Sequence, residues 1–263
     1  MIFDIDKRLI GRYIKMTQKN NTKRPDSRKI GRLVVIYRIC DKGRPKDKPE
    51  YVTKENCLEN AVKAFPLEKV IWKVIADNCS EETYSMILRY IPKEQVDRVS
   101  IGSGAGTFRL ACDIALTFNN NDLVYFLEDD YLHLPNSMEV LKVAAEKNFA
   151  DYLTLFDHPD KYGFDTDNPY LSGGGENTIL LWLGNHHWKY TNSTTMTFAA
   201  FVDTIRRDKN IYWRWTEGYL PDDFQMFVNL QLQRSAKLIS PVPSLSTHGE
   251  NAYLAKGIDW SKI

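Results

Sequence analysis

The sequence lacks several patterns that would point to other classes of protein. No stretch reaches the roughly 18 consecutive uncharged residues that a membrane-spanning helix needs. The four cysteines are far apart, with no CxxC pair and no His/Cys spacing typical of zinc ligands, so neither a disulfide framework nor a zinc site is predicted. The first residues lack the apolar core of a signal peptide. We therefore expect a cytoplasmic protein with reduced thiols.

Charge is distributed unevenly along the 263 residues, although the net charge is only +1. Residues 7–48 hold fifteen Lys and Arg against three acids, a local charge of +12, and the rest of the chain carries −11. A basic segment on an acidic body suggests a polyanionic partner, either nucleic acid or an anionic lipid surface. The same pattern also fits a solvated tail that binds nothing specific.

Hydrophobic periodicity predicts an α/β fold. In the first half, strands are predicted at 33–39, 70–76, 96–101 and 124–127, alternating with helices at 54–65, 81–90, 107–118 and 137–147. This alternation is typical of a parallel sheet with right-handed crossovers. The second half is less regular, with strands predicted at 152–156 and 178–183, a Gly-rich loop near Gly173, and helices at 197–207 and 222–234.

No internal repeat or low-complexity linker divides the chain. We therefore predict one domain over residues 31–263, preceded by a basic arm over residues 1–30. Within that domain, residues 31–135 and 136–263 would form two halves.

The most informative stretch is the apolar run 124–127, which leads directly into Glu128, Asp129 and Asp130. Such a run predicts a strand buried on both faces. Three acids at its carboxyl end would repel one another unless positive charge lay beside them. A divalent cation such as Mg²⁺ or Mn²⁺, carrying a phosphorylated ligand, meets that need. An ordinary acidic loop with an Asp helix cap fits the same pattern.

Other candidate ligand contacts also follow predicted strands, where ligands of open α/β sheets bind. Arg38 and Asp77 end the first and second strands, and Asp77 has the chemistry to accept from a ribose hydroxyl or a base N–H, or simply to form a turn. The glycine-rich run 102–106 lacks the lysine of a P-loop, but it places N–H groups, and Ser103, at a helix start where a phosphate can bind. Arg109, one turn later, fits a bidentate contact to a phosphate or to the acid cluster, or else a structural ion pair.

Taken together, the acid triplet, Asp77 and the Gly/Arg helix resemble a GT-A-fold nucleotide-sugar glycosyltransferase, whose acid motif (DxD, or Glu-Asp-Asp in some members) holds Mn²⁺ or Mg²⁺ against the donor diphosphate. Three further blocks resemble a less-studied set of bacterial and phage glycosyltransferase-like proteins, some of which have been proposed to act on hydroxymethylated DNA bases. These blocks are 155–160 (LFDHPD), 192–197 (NSTTMT) and 246–250 (STHGE).

The resemblance implies a GT-A-like, Rossmann-type, mostly parallel sheet flanked by helices, and a nucleotide-sugar donor, expected to be a UDP-sugar. By position in the motif, Asp130 would touch the metal, and Glu128 and Asp129 would contact the ribose or metal-bound water. His248 matches the C-terminal histidine that many members add as a metal ligand. A lone histidine in a Ser/Thr/Gly loop is also often only a loop residue.

The segment 220–224 (LPDDF) resembles the acid pair from which inverting members of this family draw their general base. The resemblance makes Asp223 the base and Asp222 a supporting residue, although Pro followed by two Asp at a helix start also fits plain capping. Trp213, Trp215 and Tyr219, just before it, fit either a stacking platform or ordinary core.

The resemblance implies a metal-dependent, inverting glycosyltransferase, in which residues 31–135 would form the nucleotide-sugar and metal half and residues 136–263 the acceptor half. Its acceptor would be a hydroxymethylated base in DNA, bound through the basic residues 7–48, or else a glycan or a lipid-linked saccharide. Two other classes stay open: a non-catalytic nucleic-acid or polysaccharide binder on the same scaffold, and a nucleotidyltransferase, which also uses paired carboxylates and metal ions.

Overall fold

Strand β1 (Leu33–Cys40) lies inside the sheet of the computed structural model, and its apolar side chains are buried on both faces. It pairs in parallel with β2 (Ile71–Asp77) on one side and with β4 (Leu123–Glu128) on the other. The structure describes residues 26–43, 45–163, 171 and 175–263. A strand covered on both faces has no polar side to alternate with, which explains its continuous apolar run.

The remaining elements follow in chain order. The other strands are β3 (Val96–Val99), β5 (Tyr131–His133), β6 (Tyr152–Leu153), β7 (Leu180–Leu183), β8 (His186–Thr191), β9 (Phe198–Phe201), β10 (Leu238–Val242) and β11 (Ser246–His248). The α-helices are α1 (Lys54–Ala64), α2 (Glu81–Leu88), α3 (Gly104–Ala115), α4 (Ser137–Glu146), α5 (Val202–Arg214) and α6 (Asp223–Arg234).

The central sheet has nine strands in the order β3-β2-β1-β4-β9-β6-β10-β8-β7. Within the described ranges, β9 and β8 run against their neighbours and the other strands run in one direction, so the sheet is mostly parallel. A second, two-stranded antiparallel sheet joins β11 to β5. The predicted α/β class, with a mostly parallel sheet flanked by helices, is confirmed.

Each face of the central sheet carries its own apolar core. Side chains of α1, α2 and α4 pack on one face, and side chains of α3, α5 and α6 pack on the other. In β1, Val35 and Tyr37 belong to the first core and Val34 and Ile36 to the second, as the two-residue period of a strand requires. This three-layer arrangement fixes the carboxyl ends of β1, β2 and β4 at one edge of the sheet.

The helix predicted at 197–207 is wrong at its start, because Phe198–Phe201 form strand β9 and the helix begins only at Val202. All four β9 residues are buried between β4 and β6. A short apolar run is compatible with a buried helix turn or a buried strand. Here its pairing with β4 and β6 makes it a strand. After residue 234, where no strand was predicted, the chain also forms β10 and β11.

The predicted arm lies mostly outside the described residues, as does the Gly-rich loop near Gly173. Its last residues pack on the domain, where the Arg28 guanidinium lies 3.6 Å from the centre of the Phe201 ring and 2.9 Å from Asp203. The arm boundary at residue 30 and the division into two halves stay predictions. None of the helices in the described ranges combines the length and apolar character needed to cross a membrane.

Candidate active site

A cleft of about 1260 Å³ opens at the carboxyl ends of β1, β2 and β4. Its walls come from the loop after β1, the start of α3, the acid triplet, the start of α6 and the segment after β11. Residues lining it include Arg38, Lys42, Lys46, Lys48, Asp77, Ser103, Glu128, Asp129, Asp130, His158, Asp160, Thr195, Tyr219, Asp223 and His248. The carboxyl edge of an open α/β sheet is where such folds bind ligands.

Glu128, the last residue of β4, is held by an arginine from the neighbouring strand. The Arg38 guanidinium lies 3.1 Å from Glu128 Oε1 and donates to the carbonyl of Gly104 at 3.3 Å. The Arg38 side chain is 6% exposed, whereas that of Glu128 is 29% exposed and reaches the cleft. The pair therefore ties β1, β4 and the start of α3 together and leaves the carboxylate accessible to a ligand.

Asp129 points toward the end of β1, where its Oδ2 accepts from the backbone N–H of Cys40 at 3.1 Å. Burial, together with the neighbouring charge of Asp130, raises the pKa of the Asp129 carboxyl to about 6. This residue therefore resists ionisation more than an ordinary aspartate does.

Asp130 has the opposite surroundings. Its Oδ2 lies 2.7 Å from Lys46 Nζ, 3.3 Å from Lys48 Nζ and 3.4 Å from His248 Nε2. Burial opposes its ionisation, but the two lysines outweigh burial and hold the pKa of this carboxyl well below its usual range. Asp130 is thus a buried carboxylate that stays ionised because cations lie beside it.

The antiparallel pair β5–β11 brings His248 to Asp130. In that pair His248 lies opposite Tyr131, and the next backbone N–H, of Gly249, donates to the carbonyl of Asp130 at 2.7 Å. A Cβ at Gly249 would lie only 2.8 Å from the same carbonyl oxygen, so the close approach requires glycine. Residues more than a hundred positions apart in sequence are thereby fixed side by side.

The donor atoms at this position fit a divalent cation. Asp130 supplies a carboxylate and His248 an imidazole nitrogen; Asp130 Oδ1 is buried and accepts no hydrogen bond from the described residues. Across the described ranges, no group of three or more His, Cys, Asp or Glu side chains is placed to hold a metal. Two protein ligands suit an ion such as Mg²⁺, which is usually bound by one or two carboxylates together with substrate phosphates and water.

Asp77 and Ser103 organise the loop that leads into α3. Asp77 is 4% exposed, and its carboxylate accepts from the backbone N–H groups of Ile101 at 2.6 Å and Gly102 at 2.9 Å. Ser103 caps α3, since its hydroxyl accepts from the N–H of Gly106 at 3.0 Å. Both residues line the cleft, but their polar atoms already have backbone partners.

The two aspartates at the start of α6 have different positions and contacts. Asp222 caps the helix by accepting from the N–H of Gln225 at 3.0 Å, and Asp223 lines the cleft. Burial, followed by the charge of Glu128, raises the pKa of Asp223 to about 7. A carboxyl group with that pKa is suited to accept a proton near neutral pH.

The structure does not bring Arg109 into the cleft. Its guanidinium donates to the hydroxyl of Thr216 at 2.9 Å and to the carbonyl of Trp213 at 2.7 Å, tying α3 to the end of α5. Trp213 and Trp215 pack against the core on that side. Of the predicted aromatic platform, only Tyr219 reaches the cleft, and it is 64% exposed.

Comparisons with protein-family models and with curated protein sequences give no match. Solved structures similar to this chain include TarS from S. aureus. The TarS 1-349 structure matches with a TM-score of 0.45 and 15% identity, over 84% of this chain and 59% of that one. TarS 1-349 in complex with UDP-GlcNAc matches with a TM-score of 0.46 and 14% identity, over 88% and 61%. This chain therefore spans about three fifths of the TarS 1-349 length.

Two lysines in the cleft were missed as site residues by the sequence analysis, which assigned them to the basic segment 7–48. Lys46 and Lys48 lie in the loop after β1, and both contact Asp130. The signal that points to them is position: a loop that leaves the carboxyl end of a parallel strand starts at the same edge as the acid triplet. All three sequence blocks behind the resemblance also contribute to the cleft, through His158, Thr195 and His248.

Proposed function

We propose that this chain is a nucleotide-sugar glycosyltransferase that inverts the configuration at C1 of the transferred sugar. The proposal rests on the presence, in one cleft, of a cluster of acid, lysine and histidine side chains and of a separate, partly buried carboxylate, Asp223, whose pKa is raised to about 7. The cluster suits a charged diphosphate, and Asp223 suits proton removal from an acceptor hydroxyl.

On the donor side, Asp130 and His248 would hold Mn²⁺ or Mg²⁺. When bound, such an ion acts as a Lewis acid that neutralises charge developing on the leaving diphosphate. Arg38 and Lys48 add positive charge to the same wall of the cleft. We propose that Glu128, Asp129 and Asp77 face the nucleoside, with a UDP-sugar as the donor.

On the acceptor side, Asp223 would accept the proton of the attacking hydroxyl. As the hydroxyl oxygen bonds to C1 of the sugar, the bond from C1 to the diphosphate oxygen breaks, and the nucleoside diphosphate leaves with the bonding electrons. The hydroxyl proton moves to a carboxylate oxygen of Asp223. Attack from the face opposite the leaving group accounts for inversion, and it requires the base and the diphosphate site to lie on different sides of the sugar.

A hydroxymethylated base in DNA stays the acceptor that we propose, with the basic segment 7–48 as its contact. Several basic residues of that segment already have partners within the chain: Arg28 pairs with Asp203, Arg32 with Asp122, and Lys46 with Asp130. Any DNA contact therefore depends mainly on the residues before 26. A gel shift on hydroxymethylated duplex DNA, repeated with residues 1–25 deleted and across salt concentrations, tests this.

Product analysis tests the reaction itself. The chain is incubated with each nucleotide sugar and Mn²⁺, with and without hydroxymethylated DNA, and the released phosphates are identified. Nucleoside diphosphate is expected, and its release in the absence of DNA would reflect slow transfer to water. Pyrophosphate would instead indicate nucleotidyl transfer, and no release from any donor would leave a non-catalytic binder as the better account.

A further inference from the structure

The ammonium of Lys46 lies between two groups that ordinarily ligate metals. Lys46 Nζ is 2.7 Å from Asp130 Oδ2 and 2.9 Å from His248 Nε2, and those two atoms are 3.4 Å apart. The Asp130 and His248 side chains are 4% and 8% exposed, so little water competes for them. Lys46 therefore joins a buried carboxylate to a buried imidazole.

Hydrogen-bond chemistry determines which lone pairs are used. A lysine ammonium has three donors and no acceptor, so His248 Nε2 must be the acceptor in its contact with Lys46. The Nε2 lone pair of an imidazole in that state is also the one that binds metals. Both Asp130 and His248 thus direct a lone pair at one positively charged group.

The loop that carries Lys46 is anchored beside His248. The backbone carbonyl of Asp47 accepts from the N–H of Asn251 at 2.8 Å, and that of Pro49 accepts from the N–H of Val52 at 2.9 Å. Lys48, on the same loop, lies 3.3 Å from the same Asp130 oxygen. Lys48 thus carries the same charge as Lys46 near the same carboxylate. Within the described ranges, Lys46 contacts His248 and Lys48 does not.

We propose that Lys46 and a divalent cation are alternative occupants of a single position between Asp130 and His248, so that each must leave before the other can bind. This inference rests on the metal site of the proposed function. It predicts that the wild-type protein binds Mn²⁺ more weakly than its ligands would allow, because binding must first displace an ammonium ion.

The test compares Mn²⁺ binding by wild type, Lys46→Met and Lys48→Met, measured by calorimetry and by the electron paramagnetic resonance signal of free Mn²⁺, without nucleotide. Lys46→Met should bind Mn²⁺ at least about tenfold more tightly than wild type, since the competing cation is gone. Lys48→Met should gain only about threefold or less, because Lys48 lies 3.3 Å from Asp130 and does not stand between Asp130 and His248. Lys46→Gln is a second variant that shows whether the effect is specific to methionine. Circular dichroism on every variant checks that it is folded.

Each outcome decides the matter. A gain confined to the two Lys46 variants supports the proposal, including the case in which wild type shows no measurable binding. Equal gains at Lys46 and Lys48 would overturn it in favour of a general charge effect, and so would unchanged affinity in every variant. Absence of Mn²⁺ binding in all forms would overturn it too. Nucleoside diphosphate release by the wild type, assayed separately, shows whether the glycosyltransferase proposal survives that result.

Discussion

Two pairs of adjacent aspartates lie in or beside the cleft, Asp129–Asp130 after β4 and Asp222–Asp223 at the start of α6. In each pair, the two carboxyl groups have different surroundings. In the first pair, Asp130 lies beside two lysines, and Asp129 is partly buried with a backbone N–H as its partner. In the second, Asp222 caps a helix and Asp223 faces the cleft. One member of each pair has a raised pKa, about 6 for Asp129 and about 7 for Asp223.

The difference between the pairs lies in where positive charge is available. Lys46 and Lys48 reach Asp130, so a negative charge persists there in spite of burial. At Asp223, by contrast, the largest charge effect comes from the Glu128 carboxylate. Burial and charge repulsion therefore both raise the pKa of Asp223. When two carboxyl groups have different pKa values because of their surroundings, one commonly stays ionised and stabilises charge while the other transfers protons. This contrast predicts a cation site at Asp130 and a proton acceptor at Asp223.

The largest expected effect separates the members of the second pair. Asp223→Asn should lower turnover by on the order of 10³-fold and leave nucleotide affinity unchanged, since a lost general base is worth roughly 10² to 10⁴ in rate. Asp222→Asn should lower turnover less than about tenfold, because asparagine is as good a helix cap as aspartate. Steady-state release of nucleoside diphosphate measures both. An inactive Asp222→Asn beside an active Asp223→Asn would reverse the assignment.

Asp130 should come next in size. Asp130→Asn leaves Lys46 and Lys48 without their buried partner and removes the proposed metal ligand, so Mn²⁺-dependent affinity for UDP should fall by about 10²-fold. Asp129→Asn is the matched control; it removes a carboxyl group that has no lysine contact among the described residues, and we expect a smaller loss. Calorimetry with UDP and Mn²⁺ checks both. Equal losses would mean that the pair acts as one diffuse negative charge.

The pH dependence of kcat/KM tests the role of Asp223 and leaves Asp129 and Asp130 unchanged. Burial raises the pKa of Asp223 to about 7, Glu128 and Asp222 add to the rise, and the Phe224 N–H and Lys161 oppose it. A base works only when deprotonated, so kcat/KM should rise about tenfold per pH unit below 7 and level off above. Metal loading also depends on pH, so Mn²⁺ is kept saturating. Asp223→Asn should lose this rise, and a variant that keeps it would assign the titration elsewhere.

Most of the first half of the fold was predictable from sequence, because β1 and β4 are predominantly apolar runs and the helices have clear apolar faces. The acid triplet was predictable for the same reason, since it ends such a run. The partner of Asp130 at residue 248 could be placed only by resemblance, because its position depends on the pairing of β11 with β5. Strand pairing between distant segments leaves no local pattern.

The lysines at Asp130 show a second limit of sequence reasoning. Fifteen basic residues in one segment suggest a single surface, yet several of those that the structure describes have separate partners: Arg32 pairs with Asp122, Arg38 with Glu128, and Lys46 with Asp130. Net charge over a window says nothing about which way each side chain points. The strand 198–201 shows a third limit, because four apolar residues are too few for helical and strand periods to be distinguished.

The smallest expected effect concerns Arg109, for which the sequence left a phosphate contact and a structural role open and the geometry favours a structural role. Arg109→Gln removes its bonds to Thr216 and Trp213, which should lower the free energy of unfolding by about 1 kcal/mol. UDP affinity should stay within about twofold, because binding charges act mainly where they touch the ligand. Arg38→Gln is the contrasting variant, since Arg38 lines the cleft and orients Glu128; it should weaken UDP binding measurably. Chemical denaturation and calorimetry give both numbers, and a loss of UDP affinity in Arg109→Gln as large as that in Arg38→Gln would place Arg109 back at the donor.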